Sequence, residues 1–246
     1  MSDAFLSQTI TLGTEDGEIE AYAALVQDSA PRGGVVVIHH MPGYDLESKE
    51  IVRRFASLGY NAVMPNLYHR DAPGAAPDDA AAAGRAKGGV PDERLVTDVT
   101  AAAGYLRALP NSNGKVGTIG YCSGGRQSVL AAIEVDVDAA VDCYGAFVTG
   151  TVPEGFPLKV KPLGERVTGV RAPILGLFGK DDQYPSPEQV AELEQLLKDS
   201  GKEFEFHSYE GAGHAFFAVD RPAFRPEAAK DGWARIVAFY GKHLGA

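Results

Sequence analysis

The sequence predicts an α/β fold: a mostly parallel, doubly wound sheet with helices on both faces. Three observations carry that prediction. Short β-like runs alternate with longer helical stretches from the first third of the chain to its end. Nearly every strand-to-helix return is short, as βαβ units require. A glycine-framed turn, Gly120-Tyr121-Cys122-Ser123-Gly124-Gly125, also stands where one strand should end and a helix begin.

The elements follow in order. Phe5 to Leu12 and Glu18 to Val26 flank the turn Glu15-Asp16-Gly17 and read as an antiparallel hairpin at a sheet edge. Gly34 to His39 reads as a buried strand, Leu46 to Leu58 as a helix and Asn61 to Pro65 as the next strand. From Asp92 to Leu109, Leu95, Val96, Val99, Ala103 and Leu106 recur at helical spacing with Asp92 as the N-cap, and strand character resumes over Lys115 to Gly120. Ser123 to Glu134 is then helical, Asp138 to Tyr144 and Ala172 to Gly179 are strands, Pro187 to Ser200 is a helix, Glu203 to Tyr209 a strand and Pro226 to Leu244 the last helix. Two stretches break the rhythm. Residues 71–91 are rich in Ala, Gly and Asp with three prolines, and residues 145–171 carry Pro153, Pro157 and Pro162. Both are candidate lid or substrate loops, against the plainer reading of tolerated surface insertions.

Composition bounds the function. No internal repeat divides the 246 residues, so residues 1–246 are read as one domain; 45% hydrophobic and 23% charged content excludes disorder and collagen. A chain of 26.0 kDa can bury about 70% of its surface without disulfide help. The net charge of −10, with no Lys/Arg run longer than two, argues against a nucleic-acid partner. The amino terminus has neither a basic n-region nor an apolar h-region, and the longest strongly apolar run is Val35 to Ile38, so no membrane partner is expected. Two cysteines, Cys122 and Cys143, fit a reducing cytoplasm and leave room for a working thiol. Cys143 reads as a buried structural thiol, although a cystine with Cys122 is conceivable.

The glycine frame decides which atom attacks. A strand-to-helix turn this tight leaves no room for a Cβ two residues before or after its centre, and the centre that satisfies both positions is Cys122. Ser123 as centre would put Tyr121 at a small-residue position. The plain alternative is a buried small hydrophobe. A thiol needs a base, and the base an orienter, which in this fold class follow in the order nucleophile, acid, histidine. Phe178-Gly-Lys-Asp-Asp-Gln offers Asp181 and Asp182 after one buried strand; Gly211-Ala-Gly-His-Ala-Phe-Phe offers His214 after another. One aspartate is the orienter and the other a loop or cap residue. Asp182 is favoured because Gly179 then stands three before it as the turn residue. His214 could instead be a packed core ring, but glycines close to it on its amino-terminal side suggest close backbone approach.

These residues carry a resemblance. The chain resembles the dienelactone hydrolase (carboxymethylenebutenolidase) family of the α/β-hydrolase superfamily, through Asp16-Gly17, Gly43, Arg54 to Pro65, Leu67-Tyr68-His69-Arg70, the GYCSGG turn, Tyr144-Gly145, the FGKDD loop and GAGHAFF, which together span nearly the whole chain. The resemblance implies an α/β-hydrolase fold with Cys122 as nucleophile, Asp182 as acid and His214 as base. It also implies an oxyanion hole from the Ser123 N–H and an N–H of the His40-Met41 turn, assigned to Met41. His40, Tyr44, Arg126, Tyr144 and Phe216 are candidate substrate contacts. Enzymes of this family place a glutamate a few residues before the glycine that matches Gly43; here that stretch reads His39-His40-Met41-Pro42-Gly43. They also place an arginine four residues after the histidine, where this chain has Ala218. Arg221, Arg126 or Arg85 could replace it, or could simply be salt-bridging.

None of His39, His40, His69 and His207 shows metal-ligand spacing, and no phosphate-cradling glycine motif follows a strand, so no metal or cofactor is expected. The expectation is an enzyme that cleaves a small ester or lactone through a thioester acyl-enzyme, cytoplasmic, and a monomer or homodimer. An acyltransferase, isomerase or lyase on the same scaffold, or a silent ligand-binding relative, are the alternatives. His40, replacing an acid, is expected to favour the Cys122 thiolate.

Overall fold

A computed structural model describes residues 4–156 and 158–245; Pro157, counted above among the loop prolines, lies outside them, as do residues 1–3 and 246. Eight strands form one sheet: β1 (Phe5–Thr14), β2 (Gly17–Val26), β3 (Arg32–Ile38), β4 (Asn61–Pro65), β5 (Ser112–Tyr121), β6 (Ala139–Cys143), β7 (Ile174–Gly179) and β8 (Phe204–Tyr209). They lie in the order β1-β2-β4-β3-β5-β6-β7-β8. The β1–β2 hairpin is antiparallel and β1 forms the edge, as the turn chemistry predicted; β3 to β8 all run parallel.

Helices cover both faces. The uninterrupted burial of Gly33 to Ile38 in β3 is what a parallel strand sandwiched between helix layers demands. Its alternate side chains divide between two cores. Val36 and Ile38 pack with Val99 of α3 (Asp92–Arg107), Leu130 of α4 (Ser123–Glu134) and Leu193 of α5 (Pro187–Asp199). Val35 and Val37 pack with Phe55 of α1 (Leu46–Ser57) and with Trp233 and Ile236 of α6 (Pro226–His243). Among the described residues no helix is long and apolar enough to cross a membrane.

Most expected elements are present with ends moved by one to three residues. Three readings need correction. The 71–91 stretch contains a helix, α2 (Pro77–Ala86), and the 145–171 stretch a 3-10 helix, Gly164–Gly169. In α2 the helix-forming residues are nearly all alanine, so strong propensity comes without the apolar stripe that reveals an amphipathic helix. Asp92 is not an N-cap. Pro91 holds that position, and the Asp92 carboxylate instead accepts from Arg126 (2.9 and 3.1 Å) and Arg166 (3.2 Å), because two guanidiniums outcompete one amide for it.

Parallel running of β3 to β8 fixes where function can sit. The turns that follow β3, β5, β6, β7 and β8 all emerge at one edge of the sheet, bringing together His40, Cys122, Tyr144, Asp182 and His214 from across the sequence.

Candidate active site

β5 ends at Tyr121, α4 begins at Ser123, and Cys122 between them holds φ 57°, ψ −121°. A side chain there costs about 1–3 kcal/mol of backbone strain, and the surrounding glycines show why it is tolerated. A Cβ on Gly120 would stand 2.8 Å from Gly124 Cα and nearer still to its carbonyl; one on Gly124 would stand 3.0 Å from His39 O and nearer to Ile38 O. The two glycines let the chain reverse against itself and against β3. Four non-glycine residues in the described chain have positive φ, namely Cys122, Tyr144, Phe147 and Ala215, and all four line one cavity. Strain of this kind collects where a surrounding structure holds side chains for use.

His214 Nδ1 lies 2.8 Å from Asp182 Oδ2, which fixes the tautomer and leaves Nε2 for the Cys122 sulfur, with which the ring also interacts. Asp182 is buried and its second oxygen accepts the Tyr184 N–H at 3.0 Å, whereas Asp181 is exposed. Gly179 makes the meeting possible. A Cβ there would stand 2.7 Å from the Ala212 carbonyl carbon and 2.9 Å from Gly213 O, so its absence lets the loops of Asp182 and His214 touch.

Electrostatics set the protonation of the pair. Burial pushes the Cys122 thiol up, but the His214 ring and hydrogen bonds from the Ser123 and Met41 N–H groups outweigh it and bring the thiol below its ordinary value. Burial likewise opposes charge on His214, and Asp182 and the thiolate overcome it, raising the imidazolium well above an ordinary histidine. The amino terminus of α4 adds its positive end at the sulfur. Both shifts favour the thiolate–imidazolium form of the pair. Cys143 is a free, fully buried thiol one strand away, its titration driven up by burial.

The cavity, about 1230 Å³, is lined by Cys122, Ser123, His214, Met41, His40, Tyr144 and Arg126 among the residues singled out from sequence. Tyr144 presents its ring edge-on to His214 at 5.1 Å. Other expected roles change. His40 faces the cavity, but its Nε2 is taken by Asp45 at 2.6 Å, and the groups that depress Cys122 are His214 and two backbone amides. Arg126 is bound to Asp92 and to the Lys161 carbonyl (2.6 Å), so it clamps the 145–171 loop to α4. Tyr44 and Phe216 do not line the cavity. Tyr44 is buried beneath Lys49, whose Nζ lies 4.1 Å from its ring centroid, and Phe216 is fully buried against Tyr144, Tyr209 and Phe217. The neighbouring Phe217 is the one that reaches the cavity. Of the two irregular stretches, 145–171 supplies Phe147, Phe156, Leu158 and Val160, while 71–91 lines only a smaller cavity of about 210 Å³ behind Met41 and Ser123. Lys159 N–H donating to Gly88 O at 2.8 Å joins the two. Sequence reading missed this apolar wall, and did not place Arg54 or Trp233 on the cavity lining.

The donor atoms of His40, Asp45 and Glu47 lie within 4.8 Å of one another, but His40 and Asp45 already satisfy each other there. His39 is a buried ring bridging the His40 carbonyl and the Leu67 N–H, and burial holds it neutral, with its pKa near 4.

Residues 19–244 match the dienelactone hydrolase family. The carboxymethylenebutenolidase of Pseudomonas putida is 32% identical over 235 residues, covering 91% of this chain and 92% of that protein. The crystal structure of the "Putative Dienelactone Hydrolase" from Klebsiella pneumoniae subsp. pneumoniae MGH 78578 superposes with TM-score 0.85 at 25% identity, covering 98% of this chain and all of the other. The dienelactone hydrolase-like promiscuous phosphotriesterase P91 from metagenomic libraries shares the fold at 20% identity, with TM-score 0.77 over 99% of this chain and 100% of that one. By its sequence match over nearly the full length and by its fold, the chain belongs to the dienelactone hydrolase family, hydrolases of esters or lactones built on the α/β-hydrolase fold.

Proposed function

We propose that the protein hydrolyses a small ester or lactone with Cys122 as nucleophile, His214 as acid and base, and Asp182 as orienter. One observation carries this reading: a depressed thiol on a strained turn faces a histidine already held by a buried carboxylate, with two backbone N–H groups directed at the same sulfur. The thiolate attacks the carbonyl carbon, and the oxyanion that forms is met by the Met41 and Ser123 N–H groups. The His214 imidazolium gives its proton to the departing alkoxide, leaving a thioester on Cys122. Neutral His214 then takes a proton from water, the hydroxide adds to the thioester, and collapse releases the carboxylic acid and restores the thiolate. A lid over this step comes from residues 145–171, whose Phe147, Phe156, Leu158 and Val160 close the apolar side of the cavity.

Acid quenching after mixing with p-nitrophenyl acetate, followed by intact mass measurement, tests the reading. The wild type should carry one acetyl group, Cys122→Ala none, and Cys143→Ala should keep both label and turnover. Equal loss from the two cysteine variants, or a label that survives Cys122→Ala, would sink the assignment. Cys122→Ser should retain weak turnover, because the oxyanion donors remain while the nucleophile becomes a poorer one.

A further inference from the structure

The two edges of the sheet are built differently. At one edge β8 has six residues and carries Glu205, the kind of charge that keeps another strand from pairing there. At the other β1 has ten, Phe-Leu-Ser-Gln-Thr-Ile-Thr-Leu-Gly-Thr, with no charged residue and no proline. It runs in unbroken register with β2, from Phe5 opposite Val26 to Thr14 opposite Gly17, so no bulge twists it away. Ser7, Gln8, Thr9 and Thr11 are exposed along it.

Hairpin parity shows which backbone groups are free. A two-residue turn joins Thr14 to Gly17, and at the far end the Gln27 N–H donates to the Ala4 carbonyl at 3.3 Å, so the even-numbered residues of β1 direct their bonds at β2. Phe5, Ser7, Thr9, Thr11 and Gly13 then turn N–H and C=O outward, a row that a further strand can meet. Side chains alternate as well. Ile10 and Leu12 face the core beneath α3, whereas Ser7, Thr9 and Thr11 on the other face are small enough to let a second strand approach.

We propose that β1 is a pairing surface for β1 of a second copy of this chain, the two strands antiparallel about a twofold axis through Thr9. Only with Thr9 at the centre does the whole outward row find partners: Thr9 meets Thr9 of the other copy, Ser7 meets its Thr11 and Phe5 its Gly13. Thr–Thr and Ser–Thr pairs at those positions can share hydroxyl hydrogen bonds as well. On the opposite face Leu6, 49% exposed in the single chain, comes to lie against Leu12 of the other copy. Charge favours the same direction. Glu15 and Asp16 of the two hairpin turns stand about 40 Å apart in the antiparallel pair, far beyond the reach of screened charges, and side by side in a parallel one. Each copy has one β1, so the assembly closes as a dimer.

Thr9→Pro removes no bond to β2, because the Thr9 N–H faces outward, yet it deletes the central pair of the interface. Thr9→Lys sets two like charges opposite each other across the axis. One strand pair is a small interface, so concentration enters the test. Light scattering after size exclusion should show the wild-type mass rising from 26.0 kDa toward twice that between about 1 and about 100 µM, while both variants stay at 26.0 kDa. Should proline disturb the strand in circular dichroism, Thr9→Lys decides alone. Thr9→Cys in a Cys122→Ala background should also be joined into a dimer by a short bismaleimide. A wild type that stays monomeric at about 100 µM would overturn the proposal, as would a dimer that persists in Thr9→Lys or one that Thr9→Cys does not crosslink.

Discussion

Gly120→Ala tests the argument that places Cys122 at the centre of the turn. The added Cβ would lie 2.8 Å from Gly124 Cα and nearer to the carbonyl atoms of the same residue, whereas carbon atoms pack comfortably at about 3.5–4.0 Å. Everything it meets is backbone, so no side chain can rotate away. β5 and the first turn of α4 would have to part by more than about 1 Å, which puts the cost at the upper end of the usual overpacking range, about 3 kcal/mol or more. In a domain of this size that lowers Tm by about 6–12 °C. The same displacement moves the Ser123 N–H away from the sulfur, so turnover should fall further than stability alone explains. Gly104→Ala is the control. Its Cβ meets nothing within 4 Å on the exposed face of α3, and the gain in helix propensity of about 1 kcal/mol should raise Tm by about 2–4 °C. Circular dichroism melts of both variants at one scan rate make the comparison. A Gly120→Ala melt within about 2 °C of wild type would show that the turn has slack, and the glycine frame would no longer identify the nucleophile.

Asp182→Asn should slow ester turnover by about two orders of magnitude or more by disturbing the His214 tautomer, while Asp181→Asn, at an exposed position, should cost less than about threefold; the reverse order in steady-state kinetics would move the triad by one residue. Iodoacetamide alkylation followed against pH should give Cys122 an apparent pKa below the ordinary thiol value of about 8.5, and His214→Gln should raise it. His40→Gln, which can keep a donor toward Asp45, should leave the profile superimposable, since His40 is bound to Asp45; a shift comparable to that of His214→Gln would refute this. Asp142 is fully buried at the end of β6, where burial, opposed only by the Gly145 N–H, pushes its carboxyl up to about 7. A carboxyl raised above its unfolded value stabilises the fold below about pH 4 and loses that contribution as pH rises through 7, at about 1.4 kcal/mol per unit. Asp142→Asn should therefore gain more in Tm at pH 8 than at pH 5, and an equal gain at both would mean that the carboxyl titrates normally.

Local sequence was enough for the features governed by short-range physics. Alternating strand and helix periods, the hairpin at Asp16-Gly17 and the glycine frame of Cys122 all depend on neighbours within a few residues, and each is where the periodicity and turn chemistry put it. That Asp182 rather than Asp181 meets His214 follows from an equally local feature, the turn that closes on Gly179. What the sequence could not show was competition between distant groups. Asp92 looks like a helix cap until Arg126 and Arg166 arrive from other elements to claim it, and His40 looks available to the thiol until Asp45 takes its ring nitrogen. Phe216 and Phe217 are adjacent and chemically equal, and only the packing of the loop after β8 sends one into the core and the other to the cavity. Arg54 and Trp233 lie on helices far apart in the chain, and it is the packing of both helices on one face of the sheet that stacks one upon the other. Backbone conformation is a local property and can be read along the chain, whereas a side chain's partner is settled by whichever groups the topology brings within reach.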